Sequence, residues 1–494
     1  MKSRKNILSK TIHLVWPNDV EYVTGLFTPL GVGYLASYLK KKGFDIIIHD
    51  MTFSKEIKAE KKRAIYGVSI TTPIANLAME VIKRIKKLNP ENITIAGGPH
   101  ATCVPEDLIK SRLVDYVVVG EGEDTLSELC SKLLGNESVK DVKGIYYKVG
   151  KGTHFTGPRQ LIEDIDTIPF PLHELFPLEQ YTKNRPIREI GIISSRGCPF
   201  NCEFCQPYLR NTFGMKIRYR SEKNVVDELE YVKKKHGAHI VVFNDDMVNP
   251  VYIKKVCDEI IRRGLKILWR CQARANLDKS LIRLMKRAGC IGIAFGVESG
   301  SQKVLDAVDK RLKVEDVAKV FRYCREIGIF THAYLMVGNT SENMDDVRKT
   351  LELIRNIKPF SIGVSIATPY PGTHLFARLK KEGKLPEKID WGIMHHMKNN
   401  TIYIKVSELS RDEVIEAKNM LMEEFMRGNK NSRFRYILSY MKDTDGMRNV
   451  FYFAIKNPGT VLSSLTTLIA ISRTGSGFKY TNPKQSFYGK ELEP

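Results

Sequence analysis

Three cysteines carry the sharpest chemical signal in the chain. Cys198, Cys202 and Cys205 stand in the stretch Ser194-Ser195-Arg196-Gly197-Cys198-Pro199-Phe200-Asn201-Cys202-Glu203-Phe204-Cys205, directly after the apolar run 190–193. The C-x3-C-x2-C spacing lets three thiolates cap three irons of a [4Fe–4S] cube and leaves the fourth iron without a protein ligand. An iron left open can chelate a substrate or cofactor, as the open position of a catalytic metal site does. A zinc site would need a fourth protein ligand, and none is obvious beside the triplet. The other six cysteines, Cys103, Cys130, Cys257, Cys271, Cys290 and Cys324, are scattered. Of these, Cys271, Cys290 and Cys324 fall on strand or helix patterns and read as core thiols. Scattered thiols with one tight cluster suit a reducing compartment and a metal site, not a disulfide framework.

Further polar groups close apolar runs. The run 240–243 is followed by Asn244, Asp245 and Asp246; the run from Ile267 ends at Arg274; the run from Ile291 ends at Glu298. Each of these charged residues would also serve as an ordinary ion-pair partner at a rim. Nearer the N-terminus, apolar runs lead into Thr71-Thr72-Pro73, Gly97-Gly98-Pro99-His100 and Gly120-Glu121-Gly122-Glu123. Glycines there let the backbone approach a ligand and present open N–H groups, or else they only turn the chain. No GxGxxG follows the first run, which disfavours a dinucleotide site. Trp391, His395 and His396 read as exposed or core residues.

The elements that must position these groups follow from periodicity. The runs 12–15, 46–48, 65–70, 93–96 and 116–119 are of strand length, and their continuous apolar character implies burial on both faces. Between them lie helical segments, such as those marked by Leu30, Leu35 and Leu39 and by Ile74, Leu77, Val81 and Ile85. Alternation of this kind predicts a doubly wound α/β domain over 8–140, with its ligand crevice at the carboxyl ends of the strands. Residues 141–185 read as a linker containing a hairpin near Gly144, then an extended Pro-rich crossing, expected to be a flexible join. Six further strands over 186–385, each preceded by helical periodicity, again place the polar residues at strand ends. One of these helices is expected to start at Ser221 as N-cap. Residues 386–494 read as a basic helical extension, with Val414, Ala417, Met420, Leu421 and Phe425 on one face. Its apolar segments at 451–455 and 461–471 are split by Lys456, Asn457, Pro458 and Gly459; they suit packing on the barrel, a hydrophobic substrate or a membrane interface.

The 494 residues are 43% hydrophobic and 27% charged, ordinary for a folded multidomain protein, so wholesale disorder and disulfide miniproteins are excluded. The formal charge of +22 would suit nucleic acid, an anionic surface or anionic substrates, yet no long basic block is present. The N-terminal apolar run is too short for a signal-peptide core, and no stretch reaches the roughly 20 apolar residues of a spanning helix. A cytoplasmic location is expected, with peripheral membrane contact left open for the tail.

The cysteine triplet, with the strand order around it, resembles the radical SAM superfamily. The stretches Thr28-Pro29-Leu30-Gly31-Val32-Gly33-Tyr34-Leu35-Ala36, Gly97-Gly98-Pro99-His100-Ala101 and Val119-Gly120-Glu121-Gly122-Glu123 resemble the cobalamin-binding domain of its B12-dependent members. Together the resemblance covers about residues 10–380. It implies a Rossmann-like cobalamin domain followed by a partial (β/α)6 barrel. It also implies a [4Fe–4S] cluster on Cys198, Cys202 and Cys205. S-adenosylmethionine would be contacted by Phe204, Asp245, Arg274 and Glu298, and cobalamin by Thr71, Thr72, Gly97, Gly98, Gly120, Glu121 and Gly122. The Asp-x-His-x-x-Gly motif that supplies an axial histidine is absent, since Thr11, Ile47 and Gly98 precede His13, His49 and His100 by two. The resemblance thus implies cobalamin with its own base displaced and no protein histidine on cobalt, with His100 as a loop hydrogen-bonder. A departure is Gly338-Asn339-Thr340-Ser341-Glu342, where relatives carry a Pro-Gly-Glu-Thr-like turn.

The expected activity is C-methylation of an unactivated carbon by way of a 5′-deoxyadenosyl radical and methylcobalamin. The alternative within the family is a cobalamin-dependent cyclase or oxidoreductase acting on a tetrapyrrole, lipid or other hydrophobic metabolite. A tRNA methylthiotransferase would carry three more cluster cysteines in the first domain, where only Cys103 and Cys130 stand. From another class, a non-catalytic iron–sulfur RNA-binding protein would keep the cluster without cleaving S-adenosylmethionine. The expected partners are a small-molecule or lipid-like substrate and an electron donor such as flavodoxin or ferredoxin, not nucleic acid.

Overall fold

A computed structural model describes residues 8–18, 28–57, 60, 62–182, 187–205, 212–397 and 404–428. Five apolar runs form parallel strands β1 (Thr11–Trp16), β2 (Asp45–Asp50), β3 (Ile65–Ser69), β4 (Ile93–Gly97) and β5 (Tyr116–Val118). The hairpin β6 (Ile145–Val149) and β7 (Gly152–Phe155) extends the same sheet, in the order β2-β1-β3-β4-β5-β6-β7. β1 lies between β2 and β3, so the direction of winding reverses there and a crevice opens at the carboxyl ends. One face packs Ile12 and Leu14 against Val32, Ala36 and Leu126, and the other packs Tyr66 and Val68 against Ala78, Val81 and Ile82.

The hairpin differs from the sequence reading, which placed it in the linker. Val117 pairs antiparallel with Tyr146, and Ile145 N–H donates to Thr156 Oγ1. The exposed edge of β5 would otherwise leave backbone groups unpaired. The described part of the connection around 169–172 is packed instead of free. Leu172 N–H donates to Gly33 O, and Ser37 Oγ donates to Pro169 O. A Cβ on Gly33 would lie 3.0 Å from Pro171 Cβ, so the missing side chain admits the crossing segment.

The second sheet begins with β8 (Glu189–Ile192) and continues, after the short antiparallel pair β9 (Ser195–Arg196) and β10 (Arg218–Tyr219), with β11 (Ile240–Phe243), β12 (Leu268–Ala273), β13 (Cys290–Glu298), β14 (Phe330–Val337) and β15 (Ser361–Ile366). Its six parallel strands run in the order β8-β11-β12-β13-β14-β15 and curl through 183°, a half-barrel. The outer helices start where the sequence provides caps. Ser221 Oγ accepts from Asn224 N–H, Asn249 caps the helix begun by Pro250, Asp278 accepts from Leu281 N–H, and Asn343 with Asp346 forms a capping box.

The helix Arg411–Gly428 buries Val414, Ala417 and Leu421 in the barrel core, on the face its periodicity predicts. The apolar segments at 451–455 and 461–471 lie outside the described residues. Among the described residues no helix is long and apolar enough to cross a membrane. Both sheets belong to one compact unit.

Candidate functional site

The carboxyl ends of the two sheets open into one cavity of about 530 Å³. The first sheet contributes Thr71 and Thr72 after β3, Gly97 and Gly98 at the end of β4, and Gly120, Glu121 and Gly122 after β5. The half-barrel contributes Ser195, Arg196, Asn244 and Asp246. The cavity also runs inward beneath the first strands, past Leu14, Gly67, Val32, Leu35 and Leu126. This apolar tunnel between sheet and helices, with its glycine-lined mouth, suits a large, partly apolar cofactor such as cobalamin. A Cβ at Gly31 or Gly120 would meet nothing within 4 Å, so the space is open. At Gly98 the requirement is conformational: φ is +92°, and a Cβ would lie 3.0 Å from Ile70 N and O. His100 is buried and shares a hydrogen bond of 3.1 Å with Thr72 Oγ1; burial holds its imidazole neutral, with a pKa near 4.

The cysteine loop lies between β9 and β10. Cys198 and Cys202 are buried and Cys205 is half-buried. Gly197 has φ +97°, and its missing side chain leaves room for Lys216 O, 2.6 Å from where a Cβ would stand. Glu203, between the second and third cysteines, anchors the loop on several sides. Its N–H donates to Val308 O, its carbonyl accepts from Leu375 N–H, and its carboxylate accepts from Arg378 Nε at 2.7 Å and Thr340 Oγ1 at 2.5 Å. The divergent turn at 338–342 thus braces the loop. Burial, with Cys202 and Cys198 nearby, pushes the Cys205 thiol up to about 12, and burial likewise raises Cys198. Three thiols on one loop, two of them buried, fit a group that takes them as thiolates and releases their protons on binding. Among the described residues no three His, Cys, Asp or Glu side chains are gathered as a group that could hold a metal ion. A cube places each thiolate on a different iron, so its ligands stand wider apart than those sharing one ion.

Three of the four residues assigned to S-adenosylmethionine surround Lys310. Glu298, at φ +66°, accepts from Lys310 Nζ at 2.7 Å; Phe204 has that ammonium 5.8 Å from its ring centroid; Arg274 donates to the carbonyls of Lys310 and Arg311 and stacks 3.9 Å from the Phe200 centroid. Asp245 lies elsewhere. Its carboxylate accepts from Ser194 N–H, Ser194 Oγ and Ser195 Oγ, fastening the approach to the cysteine loop. Its neighbour Asp246 reaches the cavity instead, and burial together with Asp245 raises its carboxyl to about 7.

Two features escaped the sequence reading. Lys310 sits in Asp309-Lys310-Arg311, which resembles a solvated charge run, but left-handed backbone at Asp309 and Arg311 turns the lysine inward, where it is 7% exposed. His396, expected to be core or exposed, reaches the cavity wall, hydrogen bonded to Tyr370 OH at 2.9 Å. His396 N–H also donates to Tyr370 OH, and its carbonyl accepts from Ile366 N–H, so the loop after the barrel closes against β15. Spacing alone shows no such closure.

The Radical SAM superfamily model matches residues 192–354, and the B12 binding domain model matches residues 19–130. An uncharacterized methyltransferase of Pyrococcus horikoshii is 32% identical over 358 residues, 70% of this chain and 77% of that protein. An anaerobic magnesium-protoporphyrin IX monomethyl ester cyclase of Rubrivivax gelatinosus is 29% identical over 387 residues, 74% of this chain and 69% of the cyclase. Among solved structures, the radical S-adenosylmethionine methyltransferase TsrM of Kitasatospora setae, with cobalamin and a [4Fe–4S] cluster bound, superimposes with a TM-score of 0.66. The match has 17% identity and covers 84% of this chain and 89% of that one, a likeness of fold.

Proposed function

The chain belongs to the radical SAM superfamily, in the part that carries an N-terminal B12-binding domain, and from that premise we propose that it transfers a methyl group to an unactivated carbon of a small-molecule substrate. It is a cobalamin-dependent radical SAM enzyme, with a [4Fe–4S] cluster, S-adenosylmethionine and cobalamin as cofactors. Held by Cys198, Cys202 and Cys205, the cluster would supply the electron for reductive cleavage of S-adenosylmethionine and hence a 5′-deoxyadenosyl radical for removal of hydrogen from carbon, and cobalamin held by the first sheet would supply the methyl group.

The observation that carries the reading is the shared cavity. Strand ends of the first sheet and Ser195 and Arg196, at the start of the cysteine loop, line the same space, which supports a methyl donor held there beside the loop that carries Cys198, Cys202 and Cys205. Cys198, Cys202 and Cys205 hold three irons of the cluster. The Glu298–Lys310 pair offers an anion and a cation to the ammonium and carboxylate of S-adenosylmethionine, beside the ring of Phe204. Asp246, poised near neutrality, holds or releases a proton at the cavity wall. Tyr370 and His396 also line the cavity and present polar groups to the substrate. A small reduced protein, flavodoxin or ferredoxin in kind, supplies the electrons.

The test is turnover with S-adenosylmethionine carrying a deuterated methyl group, in an extract of small molecules with a chemical reductant. A trideuteromethyl label on a small molecule, with 5′-deoxyadenosine released, is the expected outcome. Loss of hydrogen without label identifies the cyclase or oxidoreductase reading, which the Rubrivivax relative favours. Failure to release 5′-deoxyadenosine defeats both.

A further inference from the structure

Four buried charges join the first sheet to the cysteine loop. Arg196 and Arg218 face each other across the β9–β10 pair, where two like charges should repel. Glu121 resolves this by standing between them: Oε1 accepts from Arg196 Nη1 at 2.8 Å and from Arg218 Nη2 at 3.0 Å, and Oε2 accepts from Arg218 Nη1 at 2.9 Å and Ile162 N–H at 2.9 Å. Glu123 accepts from Arg196 Nη2 at 2.5 Å. The four side chains are at most 7% exposed, and their charges cancel. Burial opposes the charge of Arg196, but Glu123 and Glu121 hold its guanidinium firmly protonated. The rings of Tyr34 and Phe213, 5.9 and 5.3 Å away, complete its cage.

Buried ion pairs add little stability over apolar packing, because desolvation offsets most of the attraction; what they supply is a fixed geometry. The geometry fixed here is specific. Glu121 lies in the loop assigned to cobalamin, and Arg196 is two residues from Cys198. We propose that Glu121, Glu123, Arg196 and Arg218 form a latch whose function is positioning: it sets the distance between the cobalamin loop and the cluster loop, and so between cobalt and the sulfonium methyl of S-adenosylmethionine. This rests on the reading that cobalamin occupies the cavity and that the loop holding the cluster borders it through Ser195 and Arg196. Glu121 accordingly serves the cobalamin loop through the arginines, with both its carboxylate oxygens engaged there.

The test uses Arg218→Gln and Arg218→Lys in the full chain, since Arg218 is itself assigned to neither cofactor and does not line the cavity, touching the cobalamin loop only through Glu121. In cofactor-free protein, hydrogen exchange is compared at 120–123 and 194–198. With cofactors loaded, four quantities are measured: iron and cobalamin per chain, 5′-deoxyadenosine release, magnetic coupling between cob(II)alamin and the reduced cluster, and the rate at which cob(I)alamin, generated with titanium(III) citrate, takes the methyl of S-adenosylmethionine to give methylcobalamin and S-adenosylhomocysteine. The latch predicts that in Arg218→Gln both loops lose exchange protection together and the spin coupling weakens and broadens. Cobalt methylation falls about tenfold or more, while cofactor content and 5′-deoxyadenosine release persist. Arg218→Lys, which keeps the charge but not the fork, falls in between and serves if the glutamine variant does not fold. Unchanged coupling and methylation, or loss of both cofactors with normal rates per loaded site, overturns the latch. If the wild-type chain retains no cobalamin, the functional reading fails instead, and hydrogen exchange alone decides the latch.

Discussion

In the first sheet, β3 buries Ile65, Tyr66, Gly67 and Val68 in succession, whereas in the second, β14 buries Thr331, Ala333 and Leu335 but leaves His332 and Tyr334 accessible. Both strands are central and parallel. Helices cover both faces of the first sheet at its central strands, so the side chains of β1, β3 and β4 are packed and ligands are left the strand ends. The second sheet packs one face, with Trp269, Phe295 and Val297 against helices, and turns Gly292, Ala294, Gly296 and Gly363 to its concave side. A closed eight-stranded barrel would fill that interior with branched side chains; the half-barrel lines it with small residues interspersed with polar ones such as His332 and Tyr334. The comparison teaches that one sheet holds its ligand at an edge and the other within its curve, and that the cavity arises where the two meet.

The comparison breaks hardest at the cysteines. Cys202→Ala should abolish both iron retention at four per chain and all release of 5′-deoxyadenosine, while cobalamin binding by the first sheet persists; the visible spectrum and a chromatographic assay read the two sides separately. Surviving release would end the cluster assignment.

Core truncation sharpens the packing contrast. Ile95, fully buried in β4, should cost about 2–5 kcal/mol on replacement by Ala. Tyr334, 41% exposed on the concave face, should cost less than about 1 kcal/mol on the same replacement, yet impair turnover. Denaturant unfolding of both variants measures the difference, and equal losses would mean the concave face is packed after all.

Asp246 supplies a pH test. Its carboxyl is held near 7 when folded but ionises at the ordinary carboxylate range when unfolded, so the unfolded state binds fewer protons between those values and stability falls as pH rises through them. Asp246→Asn removes that penalty. In cluster-free protein its advantage in thermal unfolding should be absent below pH 4, grow to pH 7 and then stay level, reaching at most about 4 kcal/mol. A constant offset across this range would contradict the buried, carboxylate-flanked environment.

The smallest expected effect is at a helix start outside the cavity. Ser221→Ala removes the side-chain acceptor for Asn224 N–H and should cost about 1 kcal/mol, with 5′-deoxyadenosine release unchanged. A larger loss of activity than of stability would show that this cap also steadies the cysteine loop.

Much of this was legible from local pattern. The strand runs, the helix cap at Ser221 and the cysteine spacing are each set by neighbours within a few residues, where the pleat and the helical turn impose their periods directly. What local pattern leaves open is which partner a side chain meets. Glu121 reads equally well as a ligand-loop carboxylate until Arg196 and Arg218, 75 and 97 residues away, are seen closing on it. Asp245 and Asp246 are adjacent and chemically identical, yet one is consumed by Ser194 and Ser195 while the other reaches the cavity, because successive residues leaving a strand point to opposite sides. Lys310 looks like a solvated charge until two left-handed residues turn it onto Glu298. Sequence alone determined the elements and the residue types capable of the chemistry. Only the tertiary structure decided which charges neutralise one another, since that depends on long-range approach in a medium where an unpaired charge is too costly to bury.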